Sequence, residues 1–177
     1  DKVGKDAVQI IDSQGRRLSR LIDELLAFST LETGSLGLKR GREMLSYIVE
    51  ASLKKLSARI RASGTKVVVE NSIYKLPPIF VDRGRVQEVI ENVIDNAIRF
   101  NDKREKKVEI SARSLRDEKF IRVEIEDNGP GIPSEEREKI FQRFYQVEEF
   151  FTGQVEGAGL GLAVVKQIVE GHGGRVG

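Results

Sequence analysis

Asn92 and Asn96 lie four positions apart in a stretch of helical periodicity, so both carboxamides project from one face, and Arg99 follows one turn further along it. A carboxamide oxygen is a hard ligand suited to Mg2+, which keeps several waters and completes its shell with phosphate oxygens. An arginine on the same surface could hold those phosphates. The same pair also fits a half-buried helix that merely carries two polar residues, and spacing alone leaves both readings open.

Asp127-Asn128-Gly129-Pro130-Gly131-Ile132 follows an alternating, strand-like run. A carboxylate fixed at a strand end beside glycines can accept a hydrogen bond from an exocyclic amine of a flat base. Asn-Gly-Pro-Gly is equally a good turn that needs no ligand. Gly157-Ala158-Gly159-Leu160-Gly161-Leu162 opens a helix, and bare amides at a helix start attract phosphate. It is not the dinucleotide fingerprint, because the third glycine comes one position early and no strand precedes it. No lysine follows a glycine run as a P-loop would require. Phe141 and Phe144, three apart, read individually as core packing. His172 near a helix end reads as a capping or dipole-related residue and not as a catalytic base.

Elements must position these groups. Val8, Ile11, Leu18, Ile22 and Leu25, widened by Ile10, Leu21, Leu26 and Phe28, predict one long helix over about residues 3–33, with a stripe wide enough for a helical bundle. A second helix is expected from Met44 to Arg61 and short strands at Lys66–Glu70 and Ile79–Val81. Asp82 is a good cap for a helix reaching Phe100. Strands follow at Lys107–Arg113 and Phe120–Glu126, then a helix opened by Ser134 and carrying Ile140, Phe141 and Phe144, and a last helix over Leu160–Glu170. Such a mixture is an α+β pattern.

The chain has 177 residues, with 30 basic and 28 acidic side chains. A net charge of +2 argues for no nucleic-acid or membrane-surface partner. Without cysteine there is neither a disulfide framework nor a thiolate metal site, and one histidine builds no zinc centre. No apolar run approaches the roughly 20 residues that span a bilayer. The segment is expected to be soluble and cytoplasmic, whatever a parent protein does elsewhere.

In order, Asn92-x-x-x-Asn96-Ala97-x-Arg99-Phe100, Asp127-x-Gly129-x-Gly131-Ile132, Phe141-x-x-Phe144 and Gly157-x-Gly159-Leu160-Gly161-Leu162 resemble the N, G1, F and G2 boxes of sensor histidine kinases. Residues 17–26 resemble the second helix of that family's dimerisation and phosphotransfer hairpin. The resemblance implies a two-layer α/β sandwich of the Bergerat type, shared with the gyrase, heat-shock chaperone and mismatch-repair ATPases, over residues 36–177, preceded by a dimerisation helix over 1–35. It further implies ATP as ligand and Mg2+ held by Asn96 with help from Asn92. Arg99 and Phe100 would line the site, with Arg99 on phosphate oxygens. Asp127 would read the adenine amine, with Gly129, Gly131 and Ile132 beside it. Gly157, Gly159, Leu160, Gly161 and Leu162 would border the phosphates. Residues 145–157 would form an ATP lid, flanked by Phe141, Arg143 and Phe144. The implied partners are the protein's own dimerisation domain, a second copy, and a response regulator.

Three departures stand out. The family's first dimerisation helix, with its phosphoacceptor histidine, has no counterpart here, and His172 is in the wrong place for one. Gln146 stands where arginine is frequent in the family, and Ala158 where threonine or serine is. Two strands of the family's fold would be expected after Gly177. The alternatives are a nucleotide-binding pseudokinase or dimerisation module, and a conformational ATPase. In the gyrase-type relatives a glutamate activates water four residues before the magnesium asparagine; here that position is Asn92, which cannot take a proton.

Overall fold

A computed structural model describes residues 37–115, 120–147 and 159–177, together with Val8, Ile11 and Gly15, which are helical. The rest of the expected long helix, and residues 148–157 of the expected lid together with Ala158, lie outside the described residues. The chain order is β1 (Gly41–Glu43), α1 (Leu45–Ser63), β2 (Lys66–Val69), a 3-10 helix (Asn71–Lys75), β3 (Ile79–Val81), α2 (Arg83–Arg99), β4 (Lys107–Ser114), β5 (Ile121–Asp127), a second 3-10 helix (Lys139–Phe141) and α3 (Gly161–Gly171).

Two sheets form. β1 and β3 pair antiparallel with Gly41 opposite Val81, and β4 lies between a parallel β2 and an antiparallel β5. Side chains alternate along β4, so Val108, Ile110 and Ala112 all point to one face and are buried. The helical layer meets that face. Leu45, Ile48 and Val49 of α1 and Ile90, Ile94 and Ile98 of α2 repeat at three- and four-residue intervals, and they form one core with the β4 residues. The result is helices on one side of a sheet, as the α+β reading expects. Ile94 has no exposed surface, and a side chain of that size contributes about 1.5–3 kcal/mol on burial.

The expected strands and the helices over 44–61, 82–100 and 160–170 form within a few residues of their predicted bounds. The helix expected after Ser134 does not. Residues 134–138 are turns, and only Lys139–Phe141 winds into a 3-10 helix. The Ser134 hydroxyl bonds the Glu135 carboxylate instead of capping backbone amides. Phe144 has φ of 61°, a left-handed conformation that no α-helix continues through. β1 and the 3-10 helix at 71–75 were not foreseen; three residues of Gly-Arg-Glu carry too little alternation to read as a strand.

Candidate functional site

α2 begins at Asp82, whose Oδ1 accepts from the Arg85 amide at 3.1 Å while Oδ2 accepts from the Lys39 amide at 2.7 Å. Burial alone would raise this carboxyl; the amides of Arg85, Lys39 and Gly84 outweigh it and hold it below the usual carboxylate range. Ten residues along, the Asn92 Nδ2 donates to the Glu88 carbonyl at 3.0 Å, and its oxygen faces the start of α3. That oxygen stands 3.1 Å from where a β-carbon on Gly161 would be. Among the described residues no hydrogen bond engages the Asn96 carboxamide. Arg99 is paired with Asp95 at 2.9 Å, lies over the Phe100 ring, and shares Asp95 with Arg59 of α1.

β5 delivers Asp127 to its end, where the residue is exposed. The Gly129 amide donates to Asp127 Oδ1 at 2.8 Å, and a β-carbon on Gly129 would stand only 2.6 Å from that oxygen. A side chain here would force the Asp127 carboxylate to turn away from the Gly129 amide. Two asparagines not singled out from the sequence hold this turn against the end of α2. Asn101, only 3% exposed, donates to Asn128 Oδ1 at 2.8 Å. The same oxygen accepts from the Lys107 amide, and Asn128 Nδ2 donates to the Glu105 carbonyl. Their positions directly after Phe100 and Asp127 were the available signal, but an asparagine beside a glycine reads first as a turn. Ile132 and Gly131 are exposed beyond the turn.

The third and fourth motifs are fastened to each other. Phe144, expected as core, is 59% exposed, and its amide donates to the Gly159 carbonyl at 3.0 Å. Its left-handed backbone turns the ring out of the core. Gly159 has φ of 71°, and a β-carbon there would stand 2.8 Å from the Tyr145 carbonyl oxygen. Below this neck Glu136 accepts from the Tyr145 hydroxyl and from Lys139. The Tyr145 hydroxyl is the main reason that the Glu136 carboxyl lies below its usual range, with burial opposing and Lys139 adding. α3 then starts on a fully buried Leu160 with no side-chain cap, while Leu162 is half-buried.

Three joints thus gather the motifs: Asn92 with Gly161, Asn101 with the Asp127 turn, and Phe144 with Gly159. His172 is apart from them, at the far end of α3. An open groove of about 440 Å3 between Phe141–Arg143 and Ala163, Lys166, Gln167 and Glu170 includes neither Asn96 nor Asp127. Arg143 lines that groove.

Residues 81–177 match the family described as histidine kinase-, DNA gyrase B-, and HSP90-like ATPase. The chain is 29% identical to Histidine protein kinase 1 of Candida albicans over 99% of its own length and 7% of that protein's. It is similar to full-length ShkA in complex with AMPPNP, with a TM-score of 0.78, 25% identity, and coverage of 96% of this chain and 34% of that one. Against the Acinetobacter baumannii histidine kinase AdeS the TM-score is 0.70, with 28% identity and coverage of 93% and 72%. The chain spans only a small part of the length of the curated relatives it matches. Among the described residues no helix is long and apolar enough to cross a membrane.

Proposed function

Because the chain belongs to the histidine kinase-, DNA gyrase B- and HSP90-like ATPase family, we propose that it is the part of a sensor histidine kinase that binds Mg-ATP and presents the γ-phosphoryl group to a histidine on the dimerisation hairpin. The observation that carries this reading is the uncapped start of α3 set against Asn92 of α2. Free amides there and carboxamides opposite suit a polyphosphate with its cation.

Each group then has a task. The unengaged Asn96 carboxamide is the metal ligand, with the Asn92 oxygen beside Gly161 assisting. Among the described residues no cluster of three or more His, Cys, Asp or Glu side chains could hold a metal, which agrees with an ion that takes much of its shell from phosphate and water. When bound, Mg2+ neutralises charge on the phosphates. Arg99 exchanges Asp95 for a phosphate oxygen. Asp127 uses one oxygen to fix its own turn, and no described residue engages the other, which is left for the adenine amine. Gly159 and Gly161 let the backbone approach, Phe141 and Phe144 border the lid, and Gly157 would close it.

Phosphoryl transfer needs an aligned nucleophile as well as a held nucleotide. The one histidine of this sequence is His172, and its two ring nitrogens are occupied at the far end of α3. The acceptor is therefore a histidine of the hairpin whose second helix residues 1–35 would supply, with residues 36–177 as the catalytic unit. A response regulator would take the group onward. Radiolabelled ATP, offered with and without a separately supplied hairpin of the parent protein, tests this. The chain alone should bind ATP without labelling itself or turning it over quickly, and the hairpin should become labelled with acid-labile phosphate. Brisk hydrolysis without the hairpin would favour a conformational ATPase, and an unlabelled hairpin despite ATP binding would favour a pseudokinase.

A further inference from the structure

α2 and α3 lie antiparallel, and contacts at both ends fix how far one has slid along the other. At the nucleotide end Asn92 Oδ1 meets Gly161. At the other end His172, which closes α3, accepts a hydrogen bond on Nε2 from the backbone amide of Asp82, which caps α2, at 3.0 Å. Between them Val89 packs against Val164 and Ile168. The end contacts are ten positions apart on α2 and eleven on α3. At a rise of about 1.5 Å per residue both intervals are nearly the same length, so the helices keep one register throughout.

The ring is set for this contact. His172 Nδ1 lies 2.8 Å from the Ile168 carbonyl; a carbonyl only accepts, so Nδ1 carries the proton and Nε2 keeps the lone pair that the Asp82 amide needs. Neighbouring bonds reinforce the junction. Arg40 donates to the Gly171 carbonyl, and the Lys39 amide donates to Asp82 Oδ2. The charged groups on the elements that meet at this junction include the capping Asp82, the Arg85–Glu88 pair of α2, Lys39 and Arg40 of the segment before β1, and the Lys166–Glu170 pair of α3.

We infer that His172 is a positioning residue for nucleotide binding. It holds the axial register of α3 on α2 and so sets the spacing between the Gly159–Gly161 backbone and the Asn92–Asn96 pair. A slip of one residue would move the start of α3 by about 1.5 Å, enough to misplace a phosphate contact. The inference rests on the reading that these segments hold the phosphates of ATP. Asp127 stands on β5, outside the two-helix register, so the base contact does not depend on it.

Titration calorimetry with ATP, ADP and adenosine, each with Mg2+, separates these effects. His172→Phe keeps a ring but no acceptor, and should weaken ATP and ADP about tenfold while leaving adenosine unchanged. His172→Gln places an oxygen where Nε2 was and should restore both nucleotides. Equal losses for ATP and adenosine in His172→Phe, or no recovery in His172→Gln, would overturn the inference. If His172→Phe does not fold, His172→Met, which matches glutamine in length but offers no strong acceptor, takes its place in the same comparison. A wild type that binds no ATP overturns the underlying reading itself, and the inference with it.

Discussion

α2 and α3 are neighbours of opposite character. α2 begins away from the site on a fully used cap: both Asp82 carboxylate oxygens accept from backbone amides. α3 begins inside the site on Leu160, which offers no side-chain oxygen, and between two glycines. The first four amides of any helix lack partners within it. In α2 the protein satisfies part of that need; in α3 it leaves the need to be met from outside. The contrast separates a helix end that serves stability from one suited to bind an anion, and it runs alongside a second contrast. α2 presents its useful groups from its middle, as side chains, whereas α3 presents its own from its start, as backbone.

The strongest way to break this division is through the α2 side chains. Asn96→Ala should abolish labelling of the supplied hairpin, a fall on the order of 100-fold for loss of a metal contact; substantial labelling by the variant in a radiolabel assay would remove Asn96 from the metal site. Next comes the base. Asp127→Ala leaves the adenine amine unpaired, at roughly 1–3 kcal/mol, and calorimetry should find ATP about tenfold weaker; equal affinities would refute the assignment. The backbone contribution of α3 is tested at its neck. Gly159→Ala forces a side chain into the left-handed region, at roughly 1–2 kcal/mol, and against the Tyr145 carbonyl. ATP affinity should drop several-fold, and a variant indistinguishable from wild type in both binding and melting would show that the close approach is not required.

The smallest effect sharpens the comparison from the other side. Asp82→Ala removes the α2 cap and should cost about 1 kcal/mol of stability. Its pH dependence follows from the lowered carboxyl. A depressed folded value means that the contribution is fully present above the unfolded value and is lost as pH falls through the folded one. Denaturation curves of wild type and variant should therefore differ near neutrality and converge in acid well below about pH 4. A gap that stays constant into that range would mean that the carboxylate is not what caps α2.

How much was legible can be judged residue by residue. Periodicity found α1, α2 and α3, because burying one face of a helix leaves a three-and-four spacing in the sequence, and alternation found β4 for the matching reason in a strand. Ser134 misled, because a capping residue declares only that a helix could start; whether its hydroxyl reaches a backbone amide or the next carboxylate is settled by three-dimensional competition. Phe144 misled in the same way, since apolar character says nothing about a backbone held left-handed by its bond to Gly159. Asn101 and Asn128 were invisible as a pair, because two hydrogen-bonding side chains 27 positions apart leave no local pattern. The order of the four motifs, their residue types and the glycines among them were determined by the sequence alone, because each local chemistry demands particular side chains at particular spacings. Which motif touches which, where Arg99 rests, and the register of α3 on α2 set by His172 and Asp82 were decided only by tertiary structure, because long-range packing and hydrogen bonding select among many partners that local sequence leaves equally open.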